Sequence, residues 1–109
     1  MGERVELTAA DYFRLSAYRA DPAGKARVAL VVAQEIFGVN SHIRSVCDGY
    51  AADGFVAIAP ALFDRYERNF DIGYTTADVA RGRELKALAK ADAALMDVDA
   101  ARTVVAGAG

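Results

Sequence analysis

Two apolar runs, "VALVVA" at residues 28–33 and "FVAIAPA" at residues 55–61, constrain the fold of this chain more than any other feature. The first is a continuous β-branched run that follows the chain breakers Asp21, Pro22 and Gly24, and the second is stopped by Pro60. Uninterrupted apolar strands are what a parallel sheet covered on both faces requires, because neither face then meets water. Between the runs, Asn40 or Ser41 can cap a helix in which Ile43, Val46, Cys47, Tyr50 and Ala51 recur at i, i+3, i+4, i+7 and i+8, ending near Gly54. Strand, helix and strand make a βαβ unit with a right-handed crossover. The expected class is therefore α/β, with "VALVVA" as a central strand.

The flanks complete the outline. Residues 3–8, "ERVELT", alternate polar and apolar, and "RLSAYRA" at 14–20 repeats the pattern after a turn in "AADYF", which predicts a β-hairpin. Residues 62–75 read as an irregular loop of the length found near functional sites. A helix then begins at Thr75 or Thr76, with Thr75 and Asp78 spaced as in a capping box. From residue 77 to about residue 106 the chain is Ala-rich, with Leu85, Leu88, Leu95, Met96 and Val104 spaced for one or two helices. Gly82 weakens the first turns, a break is expected within "KADAALMDVDAA", and the final "AGAG" reads as a helix end.

Charge and composition exclude several functions. The 109 residues make one domain at most, and 13 basic and 15 acidic residues are scattered without the basic stripe that phosphates require, so nucleic acid is not an expected partner. No apolar run approaches the roughly 20 residues that span a bilayer, although 54% of residues are hydrophobic, and no membrane partner is expected. A single cysteine and a start, "GERVELT", unlike a signal peptide point to the cytoplasm. Neither G-x-G-x-x-G nor G-x-x-x-x-G-K-[ST] occurs, which argues against a nucleotide site, and neither a cofactor nor a metal is expected.

The segment "VVAQEIFGVNSHIRSVCDGYAADGFVAIAPALFDR" closely resembles the dienelactone hydrolase family of the α/β-hydrolase superfamily, with "QEIFGVN", "HIR" and "APALFDR" in the family's order and spacing. The resemblance runs over nearly all of the chain. It implies a partial α/β-hydrolase fold: the N-terminal part of a single domain, residues 1–109, cut before the strand that carries the nucleophile. It also implies a hydrolase that opens a lactone or small ester through a cysteine in a G-x-C-x-G elbow, with Asp and His completing the triad. That elbow is absent. Cys47 is no substitute, because mid-helix on an apolar stripe is not the strained strand-to-helix turn an elbow needs. His42 and Cys47, five helical residues and about 140° apart, point to different faces. The expectations are a core cysteine, a surface or capping histidine, and a chain inactive by itself.

What the resemblance does assign is the other half of the site. Glu35 lies just past the end of "VALVVA", where open α/β sheets bind ligands. The family's matching glutamate contacts the nucleophilic thiol and controls its ionisation. A carboxylate in a partly desolvated cleft gains proton affinity, so it can exchange a proton with a thiol. The structural alternative is a carboxylate bound to loop amides or to the helix N-terminus at Asn40. The backbone N–H of Ile36 matches one oxyanion-hole donor. Gln34 and Phe37 either orient this loop or simply pack, and Gly38 supplies backbone freedom. Family substrates carry a carboxylate, which makes Arg65, Arg68, Arg81 and Arg83 candidates; Arg81 is nearest the family's position, against the alternative of a solvated helix face. The family's Asp-Gly hairpin turn is replaced by "ADYF", and Tyr12 tolerates positive φ poorly, so another turn is expected. A non-catalytic reading also stands, in which the bare sheet edge pairs with a C-terminal half or another chain.

Overall fold

The computed structural model describes residues 2–107. The N-terminal alternation forms β1 (Gly2–Thr8) and β2 (Arg14–Ala20), paired antiparallel from Gly2↔Ala20 to Thr8↔Arg14. The turn between them departs from expectation. Tyr12 N–H donates to the Ala9 carbonyl and Ala9 N–H to that of Phe13, both at 2.9 Å, and Tyr12 itself takes φ +69°. This is a three-residue loop, a turn followed by one left-handed residue. Tyr12 carries that positive φ at the local steric cost of its Cβ, while its side chain, 87% exposed, packs against nothing in the core.

The βαβ unit is β3 (Ala29–Val31), α1 (Ser41–Ala52) and β4 (Val56–Pro60), with β3 and β4 parallel in the register Ala29↔Val56 and Val31↔Ile58. The strand order β1-β2-β4-β3 corrects the expected place of "VALVVA". It is β4 that lies inside the sheet, between β2 and β3, with all five residues buried. β3 is a three-residue edge strand, half-buried throughout, and Val28 is 49% exposed. The apolar run satisfied the composition of a central strand, but among the described residues no strand covers its outer side.

Strand alternation divides the core between two faces. Leu15, Ala17, Val56 and Ile58 pack with Ala101 and Val105 of α3 (Ala91–Val105). Ala20, Ala57 and Ala59 pack with Ile43, Cys47 and Ala51 of α1, and small alanines on that face let the helix lie close. A third cluster, Phe63, Phe70 and Leu85, joins a short 3₁₀ helix (Leu62–Arg65) and the following loop to α2 (Thr76–Leu88). Asn40 caps α1 by accepting from Ile43 N–H at 3.1 Å, and Thr75 caps α2 by accepting from Asp78 N–H at 3.1 Å.

The C-terminal segment is two helices, broken at Ala89 and Lys90. Of the apolar residues spaced for these helices, Leu85 is buried and Met96 half-buried, whereas Leu88, Leu95 and Val104 are exposed. The buried stripe of α3 is instead Asp97, Ala101 and Val105. The reading of the last residues as a helix end extends to residues 108 and 109, outside the described residues. No described helix is long and apolar enough to cross a membrane.

Candidate active site

The segment after β3 turns sharply and is held from three directions. From the sheet, Gln34 Oε1 accepts from Leu62 N–H at 2.8 Å while its Nε2 donates to the Glu35 carbonyl at 3.1 Å, tying the ends of β3 and β4 together. From the 70–72 loop, Ile72 N–H donates to the Phe37 carbonyl at 3.2 Å. Gly38 sits at φ +82°, and a Cβ there would fall 1.9 Å from the Phe70 carbonyl oxygen, so this position needs glycine twice over. From α2, Gly82 approaches so closely that a Cβ would lie 2.3 Å from the Ile36 carbonyl oxygen. Gly82 therefore weakens its helix for a reason: it brings α2 against the turn. The Phe37 ring meets Tyr74 edge-on at 4.5 Å, and Tyr74 hydroxyl accepts from Asn40 Nδ2 at 3.1 Å.

Glu35 and Ile36 are thus presented at the carboxyl end of β3, lining a cavity of about 250 Å³ with Arg65, Tyr66, Lys86 and Lys90. Glu35 is exposed there and Ile36 half-buried. Among the described residues the Ile36 N–H has no acceptor. Gln34 and Phe37 orient the loop by the contacts above.

The arginines divide by partner. Arg65 Nε and Nη2 reach both oxygens of Asp97, while Nη1 and Nη2 grip Asp11 at 2.7 and 3.0 Å, with the guanidinium 4.5 Å over the Phe13 ring. Hydrogen bonds from Arg65 hold the Asp11 carboxyl down at about 2, and those two carboxylates raise the Arg65 pKa. Asp97 is wholly buried, so Arg65 compensates a charge that could not otherwise stay there. Arg68 lies 3.7 Å from Asp64, and Arg83 is exposed. Arg81 pairs with Glu67 and, at 3.5 Å, with Glu84 on the outer side of α2, and is not among the residues that line the cavity. Its hydrogen bond to the Glu67 carboxylate raises its pKa. Lys86 and Lys90, not an arginine of α2, line the cavity.

Cys47 is fully buried, and that burial pushes its thiol up to about 11, with the Asp48 charge a lesser cause. His42 is exposed in the first turn of α1. Neither contributes to the cavity. Among the described residues no cluster of three or more His, Cys, Asp or Glu side chains could hold a metal.

Sequence reasoning named Gly82 only as a weak point of its helix and missed its contact with Ile36, the lysines of the cavity and the pairing of Arg65 with Asp11 and Asp97. An isolated glycine inside a helical pattern was the available signal for the first. Asp97 in register with Ala101 and Val105 was one for the last. Nothing local marked the lysines.

The parallel β3–β4 pair, the buried alternation on both faces and a site just past a strand end define part of an α/β-hydrolase fold. That architecture is shared with an α/β serine hydrolase of Xanthomonas campestris, which superposes on 97% of this chain and 44% of its own with a TM-score of 0.59 at 10% identity. The dienelactone hydrolase family model matches residues 15–108, and the chain belongs to that family. A protein of Synechocystis sp. provisionally named carboxymethylenebutenolidase is 41% identical over 88 residues, covering 80% of this chain and 36% of that protein. The crystal structure of a provisionally named dienelactone hydrolase from Klebsiella pneumoniae covers all of this chain and 45% of its own, with a TM-score of 0.71 at 26% identity. The chain thus spans about a third to a half of the length of the relatives it matches.

Proposed function

We propose that this chain supplies one wall of the active site of a cytoplasmic hydrolase that opens a lactone or small ester through a cysteine nucleophile, with the Cys, Asp and His carried by a further part of the domain. The observation that supports this most is the braced turn. Glu35 faces a cavity at the strand end beside an Ile36 N–H that has no acceptor among the described residues, and three separate contacts fix the turn. In this reading Glu35 takes up and returns the proton of the nucleophilic thiol. The Ile36 N–H is one donor to the oxyanion formed during attack, an interaction worth about 3 to 4 kcal/mol when the donor is preorganised. A carboxylate on the substrate is met by Lys86 and Lys90, and by Arg81 only once its pairs with Glu67 and Glu84 break.

The test uses a full-length protein that joins this chain to a G-x-C-x-G segment. On a panel of lactones Glu35→Ala should lower kcat/KM by about a hundredfold or more with the fold retained. An unchanged kcat/KM returns Glu35 to a structural role. Residues 1–109 alone should hydrolyse none of the panel, and esterase activity abolished by Cys47→Ala would overturn that.

A second reading rests on β3. Among the described residues its outer edge carries unpaired backbone groups beside the half-exposed Val28, and such edges template other strands. In this reading the chain acts by pairing with a complementary C-terminal half or with another chain. Sedimentation should show association of the isolated chain and its loss when the complementary half is added; a monodisperse monomer unfolding in one cooperative step refutes it.

A further inference from the structure

Glu35 and Ile36 share one peptide group, with the Glu35 carbonyl at one end and the Ile36 N–H at the other. In a planar trans peptide the C=O and N–H bonds point in opposite directions, so whatever holds the carbonyl also aims the N–H. The Glu35 carbonyl is held twice. Gly38 N–H donates to it at 3.2 Å, closing a four-residue turn with Ile36 and Phe37 at its centre, and Gln34 Nε2 donates to it at 3.1 Å.

Gln34 has one way to sit. Leu62 N–H is a donor and meets Oε1 at 2.8 Å, which leaves Nε2 for the Glu35 carbonyl. Both partners are main-chain groups, and Leu62 opens the 3₁₀ helix that follows the buried strand β4, so the carboxamide is anchored on the inside of the sheet. Hydrogen bonds at a carbonyl oxygen also draw electron density across the conjugated C–N bond. The N–H at the far end becomes a stronger donor, each bond of such a chain adding about 10 to 30% to the next.

We infer that Gln34 is a positioning residue for the oxyanion donor: its carboxamide, anchored on Leu62, aims and polarises the Ile36 N–H through the peptide group they share with Glu35. This rests on the hydrolase reading above. A packing role would be met by any side chain of this length, and a tie between strand ends by any acceptor for Leu62; only the polarising role also needs the donor to Glu35.

Two variants of the full-length protein used in the lactone test separate these roles. Gln34→Met removes both bonds at similar length, and Gln34→Glu keeps an acceptor for Leu62 while removing the donor to Glu35. Both should lower kcat about tenfold with KM little changed, short of the hundredfold or more that follows outright loss of an oxyanion donor. Full kcat in Gln34→Glu reduces the residue to a tie on Leu62, and full kcat in Gln34→Met attributes any loss in the other variant to its added charge; either overturns the inference. Nuclear magnetic resonance of the 109-residue chain gives a readout free of turnover. A hydrogen bond to a carbonyl deshields the nitrogen of its own peptide, so the Ile36 amide nitrogen should move upfield in both variants. The amide of Val32, which donates to the Ile58 carbonyl at 2.8 Å, should stay in place. An unmoved Ile36 resonance overturns the inference even if rates fall, and should Gln34→Met fail to fold, Gln34→Glu and its Ile36 resonance decide. If the full-length wild type hydrolyses no lactone, it is the hydrolase reading that fails, and the resonance still shows whether Gln34 governs the Ile36 amide.

Discussion

Replacing Gly82 by alanine sets two effects against each other. In an exposed helix the change gains about 1 kcal/mol, because glycine loses the most backbone entropy on folding. Here the added Cβ meets the Ile36 carbonyl oxygen at 2.3 Å and the Ile36 carbonyl carbon and Cβ at 3.1 Å. Carbon and carbonyl oxygen ordinarily approach to about 3.3 Å, so α2 or the turn must retreat by about 1 Å. Both sides of the contact are backbone, and neither can rotate away as a side chain tip does. Overpacking of this kind costs about 1 to 3 kcal/mol, and two backbones place it at the upper end. The net expectation is a loss of about 1 to 2 kcal/mol, with Leu85, 1% exposed, partly lifted from Phe63 and Phe70. Gly49, exposed within α1, is the internal control, since a Cβ there meets nothing within 4 Å. Gly49→Ala should gain about 0.5 to 1 kcal/mol. Urea unfolding should therefore separate the two variants by about 0.5 to 3 M in midpoint, at an m-value of about 1 to 3 kcal/mol per molar. If Gly82→Ala is stabilised as Gly49→Ala is, α2 does not bear on Ile36 and the brace is not there.

Three further outcomes follow from single residues. Tyr12→Gly should stabilise the chain by about 1 kcal/mol, since a left-handed tyrosine with an 87% exposed side chain gives up strain and no packing; a lower thermal midpoint would refute this. Cys47 should alkylate at pH 8 about a hundredfold more slowly than a free thiol, because a pKa of about 11 against the ordinary 9 leaves about a hundredth of the thiolate, before burial slows access further; labelling at the free-thiol rate would place Cys47 outside the core. The Asp11 carboxyl is depressed from 3.8 to about 2, so its pairing with Arg65 stabilises fully above pH 3.8 and is lost as pH falls through about 2. The effect is small at an exposed position, and urea midpoints followed from pH 5 to pH 2 should fall more steeply in the wild type than in Asp11→Asn; parallel curves would refute it.

What was legible in the sequence is what local chemistry decides. Asn40 and Thr75 cap because their side chains reach their own helix ends, and Ile43, Cys47 and Ala51 share a face because a helix repeats every 3.6 residues. Glu35 and Ile36 could be placed because a loop after a parallel strand opens at the sheet's carboxyl end wherever the strand lies. The order β1-β2-β4-β3 was not legible, since an apolar run reads the same at an edge as in the middle. Nor was the exposure of Leu88 and Leu95: the break at Ala89 and Lys90 resets the helix phase, and spacing counted across it loses its meaning. The Arg65 triad joins the hairpin turn, the 3₁₀ helix and α3, three segments that only the fold brings together.

The edge position of β3 also shows where the precision of the turn comes from. Among the described residues β3 is three residues long with one neighbour, which leaves few ladder hydrogen bonds to orient the turn that follows it. The orientation is imposed from outside, by Leu62 on Gln34, by Phe70 and Ile72 on Gly38 and Phe37, and by Gly82 on Ile36. Each of these contacts involves backbone groups on one or both sides, so each fixes a peptide plane rather than a side chain. A peptide plane is what an oxyanion donor must hold still, because only the direction of the N–H counts. Glycine at 38 and 82 is the physical cost of that arrangement, since it destabilises the local backbone at both places. Substitutions at these braces should therefore move Ile36 more than any substitution within β3.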